Sequence, residues 1–105
     1  MAKRHGKMHY KEGGMTNGPF ECQVEVVGQK LEVTYKDAEG EVVYSGDSTA
    51  KDHYWLEAPS RAGQATLLFE DKDLLKGDYI EEGYEGTWCI KLDPEETIEK
   101  IKPML

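Results

Sequence analysis

Residues 83–92 read Gly-Tyr-Glu-Gly-Thr-Trp-Cys-Ile-Lys-Leu and carry the clearest strand pattern of the chain. Large apolar residues occupy alternate positions, namely Tyr84, Trp88, Ile90 and Leu92. Because successive side chains of a strand point to opposite faces, this alternation predicts a half-buried β-strand. We therefore expect Tyr84 and Trp88 to lie in the core.

A helix signal follows this strand directly. Asp93 can cap a helix, Pro94 suits its first position, and Glu96 stands three residues after the cap. The sequence therefore predicts a helix from about residue 94 to 102, with Ile98 and Ile101 on one face. A helix this short is marginal alone, so it should pack against the sheet.

Upstream, short alternating segments predict a β-meander over residues 20–92. Phe20 to Val27 alternates, Gly28 and Gln29 form a tight turn, and alternation resumes over residues 31–35, as in a β-hairpin. Further strands are expected at residues 41–45, 53–58 and 64–70. Residues 1–19 hold four glycines and a proline, which favours an arm or loop with a short edge strand at residues 8–11.

These segments together indicate one domain over residues 1–105, composed of an arm (1–19), a meander (20–92) and a C-terminal helix with tail (93–105). The predicted fold class is mainly β: a small antiparallel barrel, roll or sandwich of about six to eight short strands with one C-terminal α-helix. An open sheet would leave edge strands available for a homodimer.

Charge is distributed unevenly along the chain. The formal net charge is −8, yet residues 1–12 hold four cations and one acid. The remaining acidic body should repel a phosphate backbone, so direct nucleic-acid binding is not expected. No apolar segment approaches the length of a membrane helix, so no membrane association is expected.

The two cysteines, Cys22 and Cys89, differ in strand parity, because Cys22 shares a face with Val24 whereas Cys89 shares one with Lys91. We expect two free thiols and a cytoplasmic location, where thiols stay reduced. Neither cysteine belongs to a C-x-x-C pair, and the three histidines form no ligand pattern, so no metal site and no cofactor are predicted. No nucleophile elbow, phosphate loop or dinucleotide fingerprint is present.

Two short fragments are similar to known motifs. Tyr84, Gly86 and Trp88 resemble the Y-x-G-x-W of MORN repeats, and Gly86 with Trp88 resembles the Gly-x-Trp signature of lipocalins. There is no second copy of the first motif, and the second belongs near the start of a lipocalin barrel. Each resemblance covers about five residues, so the chain is assigned to neither family.

The segment 53–56, His-Tyr-Trp-Leu, suggests a contact surface. Alternation places Tyr54 and Leu56 on one face and His53 and Trp55 on the other, so a large aromatic points away from the core. With Arg61 nearby, His53 and Trp55 are the predicted ligand or partner contacts; no catalytic residue is predicted.

The leading functional hypothesis is therefore a non-catalytic binding module for a protein or a small apolar ligand. Two alternatives remain. One is an acidic inhibitor that mimics nucleic acid through residues 70–85. The other is a small barrel enzyme with a site inside the barrel.

Overall fold

The structure is a computed structural model that describes residues 2–38 and 40–93. It contains eight strands and one short 3-10 helix in this part of the chain. In chain order these are β1 (Ala2–Glu12), β2 (Met15–Val27), β3 (Lys30–Asp37), β4 (Gly40–Ala50), β5 (His53–Ala58), the 3-10 helix (Pro59–Arg61), β6 (Gly63–Asp71), β7 (Leu74–Glu81) and β8 (Tyr84–Leu92).

The eight strands close into one antiparallel barrel in which each strand pairs with its neighbours in sequence. Closure comes from the pairing of β1 with β8, which runs from Gly6 opposite Leu92 to Lys11 opposite Thr87. The predicted mainly β class is thus confirmed as a closed barrel. Since closure leaves no open edge among the described strands, the argument for a homodimer through an edge strand no longer applies.

The first strand is the main departure from the sequence-based expectation. Residues 2–12 form β1 and residues 15–19 belong to β2, so the prediction of an arm or loop over residues 1–19 is wrong for these segments. The reason is visible in the alternation: Met8 is buried while the flanking Lys7 is exposed. The predicted helix over residues 94–102 lies outside the described residues.

Inward-facing side chains fill the barrel and form one core. Its buried apolar members come from all eight strands: Met8, Cys22, Val24, Leu31, Val33, Val42, Tyr44, Leu56, Ala58, Ala65, Leu67, Leu75, Tyr79, Trp88, Ile90 and Leu92. Trp88 is 5% exposed, which confirms its predicted place in the core, whereas Tyr84 is 67% exposed and that prediction is wrong. Tyr84 has the inward parity, but it is the first residue of β8 and lies at the rim, beyond the packed interior.

The barrel has two different ends, which we name by their contents. At the Arg4 end, where β1 begins and β8 finishes, the Arg4 guanidinium donates hydrogen bonds to the carbonyls of Lys72 and Asp93, at 2.9 and 2.8 Å. It also forms an ion pair with Asp73 at 2.6 Å. One side chain therefore ties together the start of β1, the β6–β7 turn and the end of β8.

The opposite end carries the turns β1–β2, β3–β4, β5–β6 and β7–β8, and we call it the cavity end. Its interior is described below. No helix among residues 2–38 and 40–93 is long and apolar enough to cross a membrane.

Candidate functional site

A cavity of about 120 Å³ lies inside the cavity end of the barrel. It reaches the surface, because its lining includes the exposed residues Glu82 and Tyr84. The lining residues come from the ends of six different strands and one turn: Met8, Tyr10, Glu12, Phe20, Tyr35, Tyr44, Tyr79, Glu81, Glu82, Tyr84 and Trp88. A cavity of this volume is close to one that accommodates a single benzene ring.

Aromatic rings form most of the wall. Tyr10 stacks on Phe20 with ring centroids 5.6 Å apart and meets Tyr79 edge to face at 6.0 Å. Trp88 in turn contacts the rings of Tyr44 and Tyr79 at 5.2 and 6.1 Å. Ring pairs at these distances fix each other's orientation, so the wall is a continuous and preformed aromatic surface.

Trp88 is held in place by its indole nitrogen, which donates a hydrogen bond to the carbonyl of Thr66 at 3.1 Å. Because a buried indole N–H needs an acceptor, this bond sets the ring direction as well as satisfying the donor. The ring therefore presents an apolar face to the cavity while its polar edge is paired with the wall of the barrel.

Two glycines make room for the largest rings. A Cβ atom on Gly63 would stand 2.9 Å from the Cζ atom of Tyr44, and one on Gly86 would stand 2.9 Å from the Cε1 atom of Tyr79. Carbon atoms do not approach so closely, so a side chain at position 63 would displace the Tyr44 ring, and one at position 86 would displace the Tyr79 ring and also clash with the backbone carbonyl oxygen of Lys11. The two glycines are therefore required for this arrangement of the wall.

Glu81 is the polar centre of the cavity. Its Oε1 atom accepts hydrogen bonds from the hydroxyl groups of Tyr44, at 2.7 Å, and Tyr35, at 3.0 Å. Its Oε2 atom lies 3.7 Å from the guanidinium of Arg61, which is 8% exposed. Three side chains from β3, β4 and the 3-10 helix thus hold one carboxylate on β7.

Glu12 has a similar role on the other side of the wall, where it accepts a hydrogen bond from the hydroxyl group of Tyr79. Burial, and after it the hydrogen bond to the carboxylate, raises the pKa of Tyr79 well above its usual value. The pKa of Tyr44 is raised in the same way, by burial and by Glu81. Both phenols therefore remain protonated donors at neutral pH, and both carboxylates are their acceptors.

The short helix explains how Arg61 reaches this site. Pro59 begins it, and Ala62 ends it in the left-handed conformation, with its N–H bonded to the Pro59 carbonyl at 3.2 Å. The backbone carbonyl of Arg61 accepts a hydrogen bond from the N–H of Glu82 at 3.2 Å. The β5–β6 turn is thereby fastened to the β7–β8 turn, next to the Arg61–Glu81 pair.

The structure separates the three residues that the sequence grouped as contacts. His53 and Trp55 lie on the outer face of β5, and Trp55 is 44% exposed. Arg61 is buried at the cavity end and points to Glu81. The barrel wall therefore divides the predicted set into an outer pair and one interior residue.

Trp55 has an apolar neighbour on the outer surface. Trp55 and Ile80, both 44% exposed, line one shallow groove together with Thr66 and Asp78. This groove is wide and open, in contrast to the partly enclosed cavity inside the barrel.

Sequence reasoning missed Tyr10, Glu12, Tyr79 and Glu81 as members of a site. The sequence does contain a signal for Tyr10 and Glu12. Every odd-numbered position from 3 to 11 is a Lys or a His, and Tyr10 and Glu12 lie at even-numbered positions of the same alternating segment. That basic run marks an outer face, and it places Tyr10 and Glu12 inside. No group of His, Cys, Asp and Glu among residues 2–38 and 40–93 has the arrangement of a metal site.

Comparison with known proteins adds information on the fold. No family model matches the chain, and no curated protein matches it. Among solved structures, it is similar to a redesigned β-barrel, with a TM-score of 0.61 over 87% of this chain and 90% of that chain. The two sequences are 14% identical, so this similarity shows the antiparallel barrel fold and nothing about function.

Proposed function

We propose that this protein is a non-catalytic binding module that holds a small, flat, apolar ligand in the cavity. The observation that supports this most directly is the preformed aromatic wall around a volume of about 120 Å³. Small-molecule sites are typically concave and mainly apolar, with a few convergent polar groups, and Glu12 and Glu81 supply such groups here. A ligand with one ring matches this volume.

The polar groups favour binding over catalysis. Glu81 accepts two phenol hydrogen bonds, and Glu12 accepts one. Among the described residues, the lining of the cavity contains no His, Cys, Ser, Thr or Lys side chain that could act as a nucleophile, and a phenol with a raised pKa stays protonated at neutral pH and is a poor base. A small barrel enzyme remains the weaker alternative for this reason.

The acidic inhibitor is also less well supported. The acids of residues 70–85 divide between the two ends, with Asp71 and Asp73 beside the β6–β7 turn and Glu81, Glu82 and Glu85 beside the β7–β8 turn. Asp73 is paired with Arg4, and Glu81 with Arg61. A nucleic-acid mimic needs a continuous field of negative charge, which this distribution does not supply.

A protein contact through the outer groove is the second candidate, since it keeps Trp55 and His53 in their predicted role. The exposed pair Trp55 and Ile80 favours it. Under either function we propose a cytoplasmic location, supported by Cys22 and Cys89, which lie on opposite faces of the wall.

The two indole groups give one experiment that separates these sites. Benzyl alcohol is titrated into ¹⁵N-labelled protein, and the indole N–H signals of Trp88 and Trp55 are followed by NMR. Each signal is assigned with the variant Trp55→Phe. For a ligand of this size, a Kd on the order of 1 mM is expected.

A saturable shift of the Trp88 signal with the Trp55 signal unchanged is the expected result. A shift of the Trp55 signal alone would show that the ligand binds in the outer groove instead of the cavity. No saturable shift of either signal would overturn the proposed function.

A further inference from the structure

We infer that the cavity selects a ligand with a positively charged head, a protonated amine attached to one small ring. This inference rests on the proposed function, because it specifies the chemistry of the ligand in the same cavity. It follows from the sign of the charges on the wall, from their partners, and from the aromatic faces beside them.

The charged lining of the cavity is entirely negative. Three carboxylates belong to it, those of Glu12, Glu81 and Glu82, and no lysine or arginine does among the described residues. Arg61 lies behind Glu81, with its guanidinium 3.7 Å from the Oε2 atom, and is not part of the lining. A ligand in the cavity therefore meets a net negative potential, which favours a cation over a neutral molecule and a neutral molecule over an anion.

The three carboxylates differ in how many hydrogen-bond donors and cations already offset their negative charge. Glu81 has two phenol donors and Arg61. Glu12 has the Tyr79 hydroxyl group, and within residues 2–38 and 40–93 neither Glu12 nor Glu82 has a Lys or Arg side chain at salt-bridge distance. The negative charge left for a ligand is therefore concentrated on Glu12 and Glu82, near the mouth.

The aromatic wall adds a second attraction for the same kind of head group. The faces of Tyr and Trp rings carry negative potential, and they attract an ammonium group that lies within about 6 Å of the ring centre. Tyr10, Tyr79 and Trp88 form adjoining parts of this wall. A ligand with one ring and a protonated amine would therefore place its ring against the aromatic wall and its ammonium group beside the carboxylates.

The test compares three ligands of similar size and different charge: benzylamine, benzyl alcohol and benzoate. Each is titrated at neutral pH and low ionic strength, with the Trp88 indole signal as the readout. We expect benzylamine to bind about tenfold more tightly than benzyl alcohol, and benzoate to bind more weakly than both. The preference should fall as salt is added.

Two variants locate the origin of the preference. Glu12→Gln retains an oxygen that accepts the Tyr79 hydrogen bond but removes the charge, and Glu82→Gln removes an exposed charge at the mouth. We expect each variant to lower the ratio of benzylamine affinity to benzyl alcohol affinity by about threefold. Glu21→Gln, on the outer face of β2, is the matched control and should leave this ratio unchanged.

The possible outcomes distinguish a failure of the charge preference from a failure of ligand binding in the cavity. Equal affinities for benzylamine and benzyl alcohol, or tighter binding of benzoate, would overturn the charge preference and leave the apolar binding module standing. If none of the three ligands moves the Trp88 signal, both proposals fail.

Discussion

The two ends of this barrel close their interiors by different means. At the Arg4 end, buried Leu31, Leu75 and Leu92 fill the space, and Arg4 joins the start of β1, the β6–β7 turn and the end of β8. At the cavity end, rings and carboxylates surround a volume of about 120 Å³. The comparison teaches that aliphatic packing supplies stability at one end, while the other end gives up part of its packing and leaves a cavity, in which we propose that a ligand binds.

The largest expected effect is the loss of stability when a buried side chain is truncated, and we compare this loss at the two ends. Leu31→Ala removes a side chain with no exposed surface and should lower the free energy of unfolding by about 2–5 kcal/mol, because the cavity it leaves is new. Phe20→Ala removes a half-buried ring that already borders the cavity and should cost less than about 2 kcal/mol. Urea unfolding of both variants measures the difference, and equal losses would contradict it.

Alkaline pH should weaken the cavity end selectively. Unfolded tyrosines ionise near pH 10, whereas burial and the acceptor carboxylates raise the pKa values of Tyr44 and Tyr79 above that in the fold. The stability they contribute is therefore complete below about pH 10 and is lost above it, by about 1.4 kcal/mol per pH unit for each phenol. Urea unfolding at pH 8, 10 and 11 measures the loss.

The double variant Tyr44→Phe and Tyr79→Phe is the control for this pH dependence. It removes both hydroxyl groups and should make the loss of stability above pH 10 less steep, even if its stability at pH 8 is lower. An unchanged slope in the double variant would show that the two phenols are not its source. Cys22 contributes in the same direction, since burial raises the pKa of its thiol to about 11.

The ion pair at the Arg4 end should matter more than one on the open surface. Arg4→Met removes charged hydrogen bonds to Asp73 and two backbone carbonyls, and it should cost about 1–3 kcal/mol. Lys7→Met, on the same strand, breaks an exposed pair with Glu21 at 2.7 Å and should lower the stability less than Arg4→Met does, because solvent screens this pair. Thermal unfolding compares them, and a larger loss from Lys7→Met would refute the ranking.

The smallest expected effect is on the two cysteine thiols, whose reactivity tests which face of the barrel wall each one occupies. Cys22 is buried and its thiol pKa is raised to about 11, whereas Cys89 is partly exposed on the outer face. With an aromatic disulfide reagent at pH 8, we expect one thiol to react quickly and the other to react only as the protein unfolds. The variants Cys22→Ser and Cys89→Ser identify which is which, and two equally fast thiols in the native protein would contradict the burial of Cys22.

The meander was predictable because its strands alternate and its turns contain glycine. The burial of Trp88 and the outward direction of Trp55 followed from the same parity. Parity indicates which face of a strand a residue lies on but not how deep it lies in the barrel, which is why the pattern predicts a core position for Tyr84 although this residue lies at the rim. The glycines of residues 1–19 favour a loop and obscure β1, although the alternating Lys and His residues from Lys3 to Lys11 mark its outer face.

The cavity itself was not predictable from single strands. Glu81, Tyr35, Tyr44 and Arg61 are brought together by closure of the barrel, and their separations in sequence range up to tens of residues. Each residue alone is compatible with an ordinary surface position. Only the register of neighbouring strands shows that their hydroxyl, carboxylate and guanidinium groups converge.

The seam between β1 and β8 has a consequence for how the chain folds. Every other strand pair joins segments adjacent in sequence, whereas this pair must bring together residues about 80 positions apart. Since loop-closure entropy grows with the length of the loop, we expect the hairpins to form first and the ring to close last. Until it closes, β1 and β8 are two unpaired edges, and the cations at Lys3, Lys7 and Lys11 along β1 would then discourage the edge of one molecule from pairing with that of another.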